Sequence, residues 1–314
     1  MAHTDHPTAA TNVIIPISIK QPRRLSCIIN TMKLHQYNKI IGVIITTQEG
    51  NPMSSLVEQF PEVDRKTLGS IWSQEMQKKV KRNFHHINAS EKATEIYNRY
   101  LSSVGSGAPP GILLEMARCL DYSPAMLAKL VLEHYLIQRS SSTQVSKSQV
   151  NSFLRDTTLI EDRDLSFEVY LCVLQDDVYG PFADCIKHAV GHEYEFHLCR
   201  ELDKLNIGYY SEDELRSRGY DKTPDIKLHV PIAVEGHVIN WIESKASFGD
   251  EESHRGYLRD QFWSYWNRFG SGLVIYWLGF VDEIDQHSDK GILLRSSLPT
   301  DITFMDPLLL TPRQ

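Results

Sequence analysis

The alternation of apolar and polar residues in the C-terminal half predicts a β-hairpin. From 226 to 230 apolar and polar residues alternate, as in a half-buried strand, and Asp225 precedes this run on its polar face. Residues 237–246 predict a second strand, and the intervening 235–236 dipeptide, Glu-Gly, suits a tight turn. Because side chains alternate along a strand, Glu243 and Lys245 share one face and Ser244 points away. The turn then brings Glu243 and Lys245 back beside Asp225.

The sequence predicts one helix before this hairpin and one after it. The helix predicted over 189–205 has an apolar stripe that includes Leu198 and Leu202, and Glu195 lies on the same face. A second helix is predicted over 253–269. Its residues Phe262, Trp266 and Phe269 are expected to pack on the sheet, with Gln261, Tyr265 and Arg268 on another face and Arg255 and Arg259 nearby. Further strands over 272–280 and 292–298 complete an α/β fold, a mixed sheet flanked by helices.

The N-terminal half is predicted to be all-helical. Helices over 54–60 and 64–83 have the rhythm of a helix-turn-helix, and another helical pair follows from Pro110. The basic run 78–82 makes Lys78 and Lys81 candidate DNA contacts, although a basic helix face is as often simply solvated. We therefore expect a tail over 1–31, a helix-turn-helix-like domain over 32–139, a polar linker over 140–165 and a second domain over 166–314. A disordered tail or an upstream start suits the first segment better than a transit peptide.

Composition limits the possible functions. The chain has 314 residues, 41% of them hydrophobic, which allows two cores, and no apolar run approaches a membrane span. Five cysteines without a CxxC pair argue against a disulfide scaffold and for a reducing compartment. The net charge is -7, so that any binding to nucleic acid has to rely on local basic patches.

Two carboxylates and a lysine on neighbouring strands suit a metal-dependent phosphodiesterase. Asp225 and Glu243 can share a hard divalent cation, which keeps waters and takes phosphate oxygens as further ligands. Lys245 can orient the attacking water or stabilise the transition state. Glu195 is a candidate third ligand, because an acidic residue on a core-facing stripe needs a reason. The alternatives are an exposed strand with incidental charges and, for Glu195, a loop cap or an arginine partner.

Other side chains are candidates for substrate contacts or for a different metal. Arg255 and Arg259, among aromatic residues, suit phosphate contacts, and Gln261 and Tyr265 share that helix. His192, one turn before Glu195, is a candidate for touching substrate phosphate. Together with Cys185, His188 and His197 it also has the residue types of a zinc site, but no second ligand cluster is present.

The order of these motifs resembles a known superfamily. A helix with Glu195, strands with Pro224-Asp225 and Glu243-Ser244-Lys245, and a helix with Gln261 and Tyr265 resemble the PD-(D/E)xK nucleases, on the side of the archaeal Holliday junction resolvases. The longer motifs 221–225, 241–250 and 260–266 are similar to those of the TPD-motif family of codanin-interacting nucleases, from about Met32 onward.

This resemblance implies Glu195, Asp225 and Glu243 as metal ligands, with Lys245 as the catalytic lysine and Mg²⁺ or Mn²⁺ as the metal. It also implies a nuclear and cytoplasmic protein that binds codanin and acts in chromatin and erythroid differentiation. The expected activity is that of a DNA endonuclease, on branched or single-stranded substrates. The alternative is a nuclease fold that has little activity and serves as a codanin-binding interaction protein. Substrate structure, DNA against RNA, and monomer against dimer stay open.

Overall fold

The computed structural model describes residues 31–47, 52–139, 145–288 and 290–305. Helices predominate in the N-terminal half, and the strands lie mainly in the C-terminal half. The helices are α1 Leu34–Thr46, α2 Met53–Gln59, α3 Arg65–Ile87, α4 Ser90–Gly105, α5 Ile112–Cys119, α6 Pro124–Arg139, α7 Lys147–Arg155, α8 Arg163–Gln175, α9 Pro181–Lys204, α10 Glu212–Ser217, α11 Glu251–Tyr257 and α12 Trp263–Phe269. The strands are β1 Thr31–Met32, β2 Tyr209–Ser211, β3 Ile226–Val234, β4 His237–Lys245, β5 Gly272–Tyr276, β6 Phe280–Val281, β7 Ile292–Arg295 and β8 Ile302–Phe304.

The central sheet is mixed and has the order β2-β3-β4-β5-β7, with β8 paired to the second half of β3. The pairs β2/β3 and β3/β4 are antiparallel, whereas β4/β5 and β5/β7 are parallel. Strands β3 and β4 form the predicted hairpin. Glu235 and Gly236 both adopt positive φ, the conformation that a tight two-residue turn requires. The predicted α/β class, a mixed sheet flanked by helices, is thus confirmed.

The two faces of the sheet belong to different cores. Helix α9 packs on one face, where Leu198 and Leu202 meet Ile242 and Ile275. Helices α1 and α3 pack on the other face together with the α11–α12 segment, around Trp241. In α9 the predicted apolar stripe is only partly buried. Leu198 and Leu202 are fully buried, whereas Leu205, which follows the last residue of the helix, is exposed.

A third core lies in the middle of the chain. It joins the end of α3 to α4, α5, α6, α7 and α8, and residues Val150, Leu154 and Ile160 belong to it. Of the predicted linker, 140–144 lie outside the described residues and 145–165 contain α7 and these core side chains. The cores therefore follow a different division from the predicted domains, since α1, α2 and the first half of α3 share a core with the sheet. Of the predicted tail, 1–30 lie outside the described residues.

The helix predicted over 253–269 contains an irregular turn that changes its faces. Leu258–Phe262 form a π-helical turn between α11 and α12. One extra residue in a turn rotates everything after it by about 100°. Phe262 is buried as predicted, but Tyr265 is buried and Trp266 is 40% exposed, the reverse of the prediction.

Within the described parts of the chain, no helix has both the length and the apolarity needed to cross a bilayer.

Candidate active site

Asp225 and Glu243 meet where β3 begins and β4 ends. The backbone N–H of Asp225 donates to Glu243 Oε2 at 3.3 Å, and the Ser244 N–H donates to Asp225 Oδ2 at 2.7 Å. Glu243 is only 3% exposed. The hairpin alternation explains this arrangement, because Ile226 pairs with Ile242 and so sets Asp225 beside the last residues of β4.

Lys245 shares the face of Glu243, as predicted, and forms a buried ion pair with it. Lys245 Nζ donates to Glu243 Oε1 at 2.6 Å and to Gln261 Oε1 at 3.0 Å. The ring of Tyr257 lies beneath the ammonium group, 4.7 Å from Nζ to its centroid. An ammonium group has three N–H donors, so these two contacts leave one for a phosphate oxygen or a water.

The pKa values of both carboxyl groups are raised, mainly because the two groups are buried. Burial and the adjacent Glu243 carboxylate raise the pKa of Asp225 well above its ordinary value, against the opposing effect of Lys245. Burial also raises the pKa of Glu243, although the Lys245 ammonium acts against it. Burial would lower the pKa of Lys245, but attraction to Glu243 outweighs burial and raises it. A bound cation would favour the charged form of both carboxyl groups.

Glu195 lies on the partly exposed side of α9. Its side chain is 43% exposed and accepts from His192 Nδ1 at 3.2 Å, and its charge contributes to the raised pKa of Asp225. Across the described residues, no three His, Cys, Asp or Glu side chains come together as a metal-binding group. The structure therefore assembles neither the predicted triad nor the zinc alternative with Cys185, His188 and His197. It brings together the pair of carboxylates alone.

Gln261 and Tyr265 reach the site from the helix that carries the π turn. Gln261 accepts from Lys245, so it positions the lysine. Tyr265 is buried edge-on against Trp241, with ring centroids 5.4 Å apart. Burial and the Glu243 charge raise the pKa of its hydroxyl. Tyr265 is therefore a supporting residue under the carboxylates, and its burial does not suit the predicted contact with substrate.

The sequence analysis missed one acidic residue, Glu212. It lies in the first turn of α10, and its Oε1 accepts from the buried Thr223 hydroxyl at 3.1 Å. Its charge adds to the raised pKa of Glu243. A sequence signal was available: Ser211 and Glu214 form a capping box, which marks the start of a helix just before the strand of Asp225.

Comparison with known proteins identifies the family. Proteins from Bos taurus, Mus musculus and Homo sapiens, each named CDAN1-interacting nuclease 1, are 49% identical to this chain over 268 residues. The matched region is 85% of this chain and 95% of each relative. The chain belongs to the CDAN1-interacting nuclease 1 family. No solved structure matches it.

The family's sequence motif covers the candidate site. Residues 161–298 match the family model described as a protein of unknown function with a TPD sequence motif, and this range includes every residue of the site. In this chain the motif is Thr223-Pro224-Asp225. Thr223 fixes the segment through Glu212, and Asp225 supplies a carboxylate, so the first and third residues of the motif have separate roles.

Three of the residues predicted to contact substrate are exposed. Arg255 pairs with Glu251 and Arg259 with Asp260, and both arginine side chains are 75% exposed. His192 is exposed beside Glu195. These three residues remain accessible to a substrate.

Lys78, the other predicted DNA contact, is mostly enclosed, with 13% of its side chain exposed. It donates to Asp250 Oδ1 at 2.9 Å, and Asp250 is only 1% exposed. This ion pair joins α3 to the start of α11. Lys78 is therefore a structural residue, because its charge is neutralised within the chain. Lys81 is exposed on the same helix and remains a candidate DNA contact.

Proposed function

We propose that this chain is a divalent-metal-dependent nuclease of the PD-(D/E)xK type that hydrolyses phosphodiester bonds in DNA. The observation that carries the proposal is the close grouping of Asp225, Glu243 and Lys245 at the ends of two paired strands. The element order supports it: helix α9, hairpin β3–β4, the α11–α12 segment and parallel β5 match the motif order of that superfamily. The relatives' shared name is consistent with it.

The residues fit a hard divalent cation, Mg²⁺ or Mn²⁺. Asp225 and Glu243 offer carboxylate oxygens, and Asp225 Oδ1 accepts no hydrogen bond from any described residue. Mg²⁺ is commonly held by one or two carboxylates, with waters and substrate phosphates as its other ligands. Such an ion supplies charge neutralisation at the scissile phosphate and lowers the pKa of a bound water.

Side chains of the protein supply the remaining catalytic interactions in this proposal. Lys245, held by Glu243 and Gln261, has one N–H free to donate to the attacking water or to a phosphate oxygen. We assign Glu195, which is 43% exposed, a contact with a water near Asp225, and we assign the exposed Arg255 and Arg259 contacts with flanking phosphates. Removing one such stabilising group costs about 10²-fold to 10³-fold in rate.

Cleavage assays test the catalytic proposal. Purified wild type, Asp225→Asn and Lys245→Ala are incubated with single-stranded, flap, branched and duplex DNA, with Mg²⁺ and with Mn²⁺. We expect cleavage by wild type that both variants lose. Lys147→Ala, at an exposed lysine of α7 that the proposal does not use, is the control and should keep the wild-type rate. Equal activity in all preparations would reveal a contaminating nuclease and refute the proposal.

Calorimetry tests the metal separately. Wild type is expected to bind Mg²⁺, and Glu243→Gln to lose that binding while it keeps the shape of the side chain. If the two proteins bind the ion equally, the carboxylate pair is not the metal site.

We further propose that the chain binds CDAN1, as the printed name of its relatives says of them, and that it acts in the nucleus and the cytoplasm. The second candidate function is that of an interaction protein in which the nuclease fold serves mainly as a surface for this partner. The buried ion pair favours the enzyme, since a binding surface has no use for a Lys245 ammonium enclosed between Glu243 and Gln261. CDAN1 binding without cleavage by wild type would favour the interaction protein.

A further inference from the structure

Helix α8 is apolar on both of its faces. Its inner face packs in the third core through residues such as Leu165, Val169 and Cys172, which are at most 1% exposed. Its outer face carries Phe167 and Leu174. A helix that is apolar all round is normally enclosed on all sides. The outer face of α8 therefore has the composition of a surface that another element covers.

The outer apolar residues form one continuous stripe. Phe167, Tyr170 and Leu174 are spaced i, i+3 and i+7, and they are 48%, 42% and 52% exposed. The rings of Phe167 and Tyr170 stack with their centroids 6.4 Å apart. Leu159, in the 3₁₀ turn before α8, is 49% exposed as well. Grouped exposed apolar side chains of this kind mark interaction sites, whereas scattered ones do not.

A groove runs beside this stripe. It has a volume of about 590 Å³ and lies between the 157–163 segment and α8, with Ile160, Ser166, Phe167 and Tyr170 in its lining. The groove gives the stripe a concave side, into which one or two apolar side chains of a partner fit. This is the form of surface that takes an amphipathic helix through anchors spaced three and four residues apart.

The charges around the groove indicate the chemistry of that helix. Between 156 and 177, the exposed charged residues are one base, Arg163, and five acids, which are Asp156, Glu161, Asp162, Asp164 and Asp177. One of these acids, Glu161, pairs with Arg139 at 3.2 Å. The apolar stripe is therefore bordered by carboxylates at both ends of α8. A partner helix with Lys or Arg beside its apolar anchors matches this surface, and an acidic helix is repelled by it.

We propose that the outer face of α8, with the adjoining groove, is the docking surface for an amphipathic, basic-edged helix of CDAN1. This inference rests on the proposed CDAN1 interaction. It assigns that interaction to a surface separate from the carboxylates of the candidate active site. Phe167 and Leu174 are the apolar anchors, and Asp177 and the acids before α8 attract the basic edges. Docking on this surface uses no residue of the candidate active site.

Binding of full-length chain to purified CDAN1 tests the proposal. We expect Phe167→Ser and Leu174→Ser each to weaken binding at least 10-fold, since central apolar anchors carry most of the energy of such interfaces. Asp177→Lys is expected to weaken it less and to reduce its dependence on salt. The matched controls are Val238→Ser and Ile45→Ser, at residues 51% and 65% exposed on other elements, and they should bind as wild type does. Because all four apolar residues are exposed, thermal unfolding should be nearly unchanged.

The outcomes separate this inference from the partner proposal. If wild type does not bind CDAN1, the partner itself is wrong, and this inference falls with it. If wild type binds and Phe167→Ser and Leu174→Ser bind equally well, the partner stands and the α8 surface is refuted. Light scattering distinguishes a further occupant: a wild-type dimer that both α8 variants convert to monomer would make this face an interface between copies of the chain, and would overturn the proposal.

Discussion

The ion pair of Glu243 and Lys245 provides the sharpest test of the site. The Nζ–Oε1 distance is 2.6 Å, and the side chains are 4% and 15% exposed. Lys245→Met keeps the length of the side chain and removes its charge. Removing one partner of a buried pair costs about 3 to 5 kcal/mol, because the other charge is left without compensation. We expect a loss of that size in the free energy of unfolding, which corresponds to a fall in Tm of roughly 6 to 20 °C.

The loss should depend on pH in a defined direction. Without Lys245 the pKa of Glu243, which burial already raises, lies still further above its unfolded value. Between those two pKa values the folded variant binds more protons than the unfolded chain, so its stability falls as the pH rises. The destabilisation is therefore smallest in acid, where Glu243 is neutral in both states. It is largest above the folded pKa of Glu243.

Urea unfolding followed by tryptophan fluorescence, from pH 5 to pH 8, measures both effects. The set comprises wild type, Lys245→Met, Glu243→Gln and the double variant, which should be more stable than the sum of the single losses predicts. Lys81→Met, at an exposed lysine, is the control and should change little. A loss below about 1 kcal/mol for Lys245→Met, the range of exposed pairs, would show that the pair is open to solvent and would refute the reasoning.

Three further predictions concern metal affinity, the α3 ion pair and strand packing. Because the pKa values of both site carboxyl groups are raised, Mg²⁺ has to displace protons when it binds. Its affinity, measured by calorimetry, should therefore increase from pH 5 to pH 8, and an affinity that does not change with pH would contradict this. Lys78→Met should lower stability by about 1 to 3 kcal/mol, because the buried Asp250 carboxylate loses its cation and keeps only its hydrogen bonds from Glu252 and Ser253. The exposed Lys81→Met should not, and equal effects in urea unfolding would refute the assignment. Gly272→Ala places a methyl group 2.1 Å from the Trp241 ring and should lower the free energy of unfolding by about 1 to 3 kcal/mol. The control Gly256→Ala meets open space. If thermal unfolding of Gly272→Ala is the same as that of wild type, β5 can shift to make room.

The hairpin and its chemistry were predictable because they depend on local rules. Alternation of side chains fixes which residues of a strand share a face. The register next to the Glu235-Gly236 turn shifts between Lys227 and Ile232, so the turn alone does not set the pairing of β3 with β4 at the site. Glu243 and Lys245 therefore lie together in the structure as the sequence indicates. Nothing non-local is needed to place them, so a short window of sequence was sufficient.

The faces of the α11–α12 segment were not predictable in the same way. A period of 3.6 residues assumes an unbroken α-helix, and the π turn at Leu258–Phe262 breaks it. That turn aims Gln261 at Lys245 and buries Tyr265 below the carboxylates. Local propensity gives no sign of the insertion. The error fell at the functional site, where departures from regular geometry are concentrated.

Long-range pairing accounts for the remaining differences. A lysine on an amphipathic helix has the same sequence signature whether it is solvated or paired. The partner of Lys78, Asp250, is 172 residues away in the chain. Similarly, no local pattern shows that α1 shares its core with the sheet.

The residue between Glu243 and Lys245 links the two faces of the sheet at the site. Ser244 points away from its neighbours, and its Oγ accepts from Trp277 Nε1 at 2.8 Å. The Trp277 ring contacts Tyr194 and His197, on either side of Glu195 in α9, at centroid distances of 5.5 and 5.1 Å. The strand that holds Glu243 and Lys245 on one face thus also contacts, through Trp277, the part of α9 that carries Glu195. Trp277→Phe removes this contact, so it should shift Glu195 and lower activity while the Glu243–Lys245 pair stays intact. Unchanged activity in that variant would show that Glu195 has no part in the reaction.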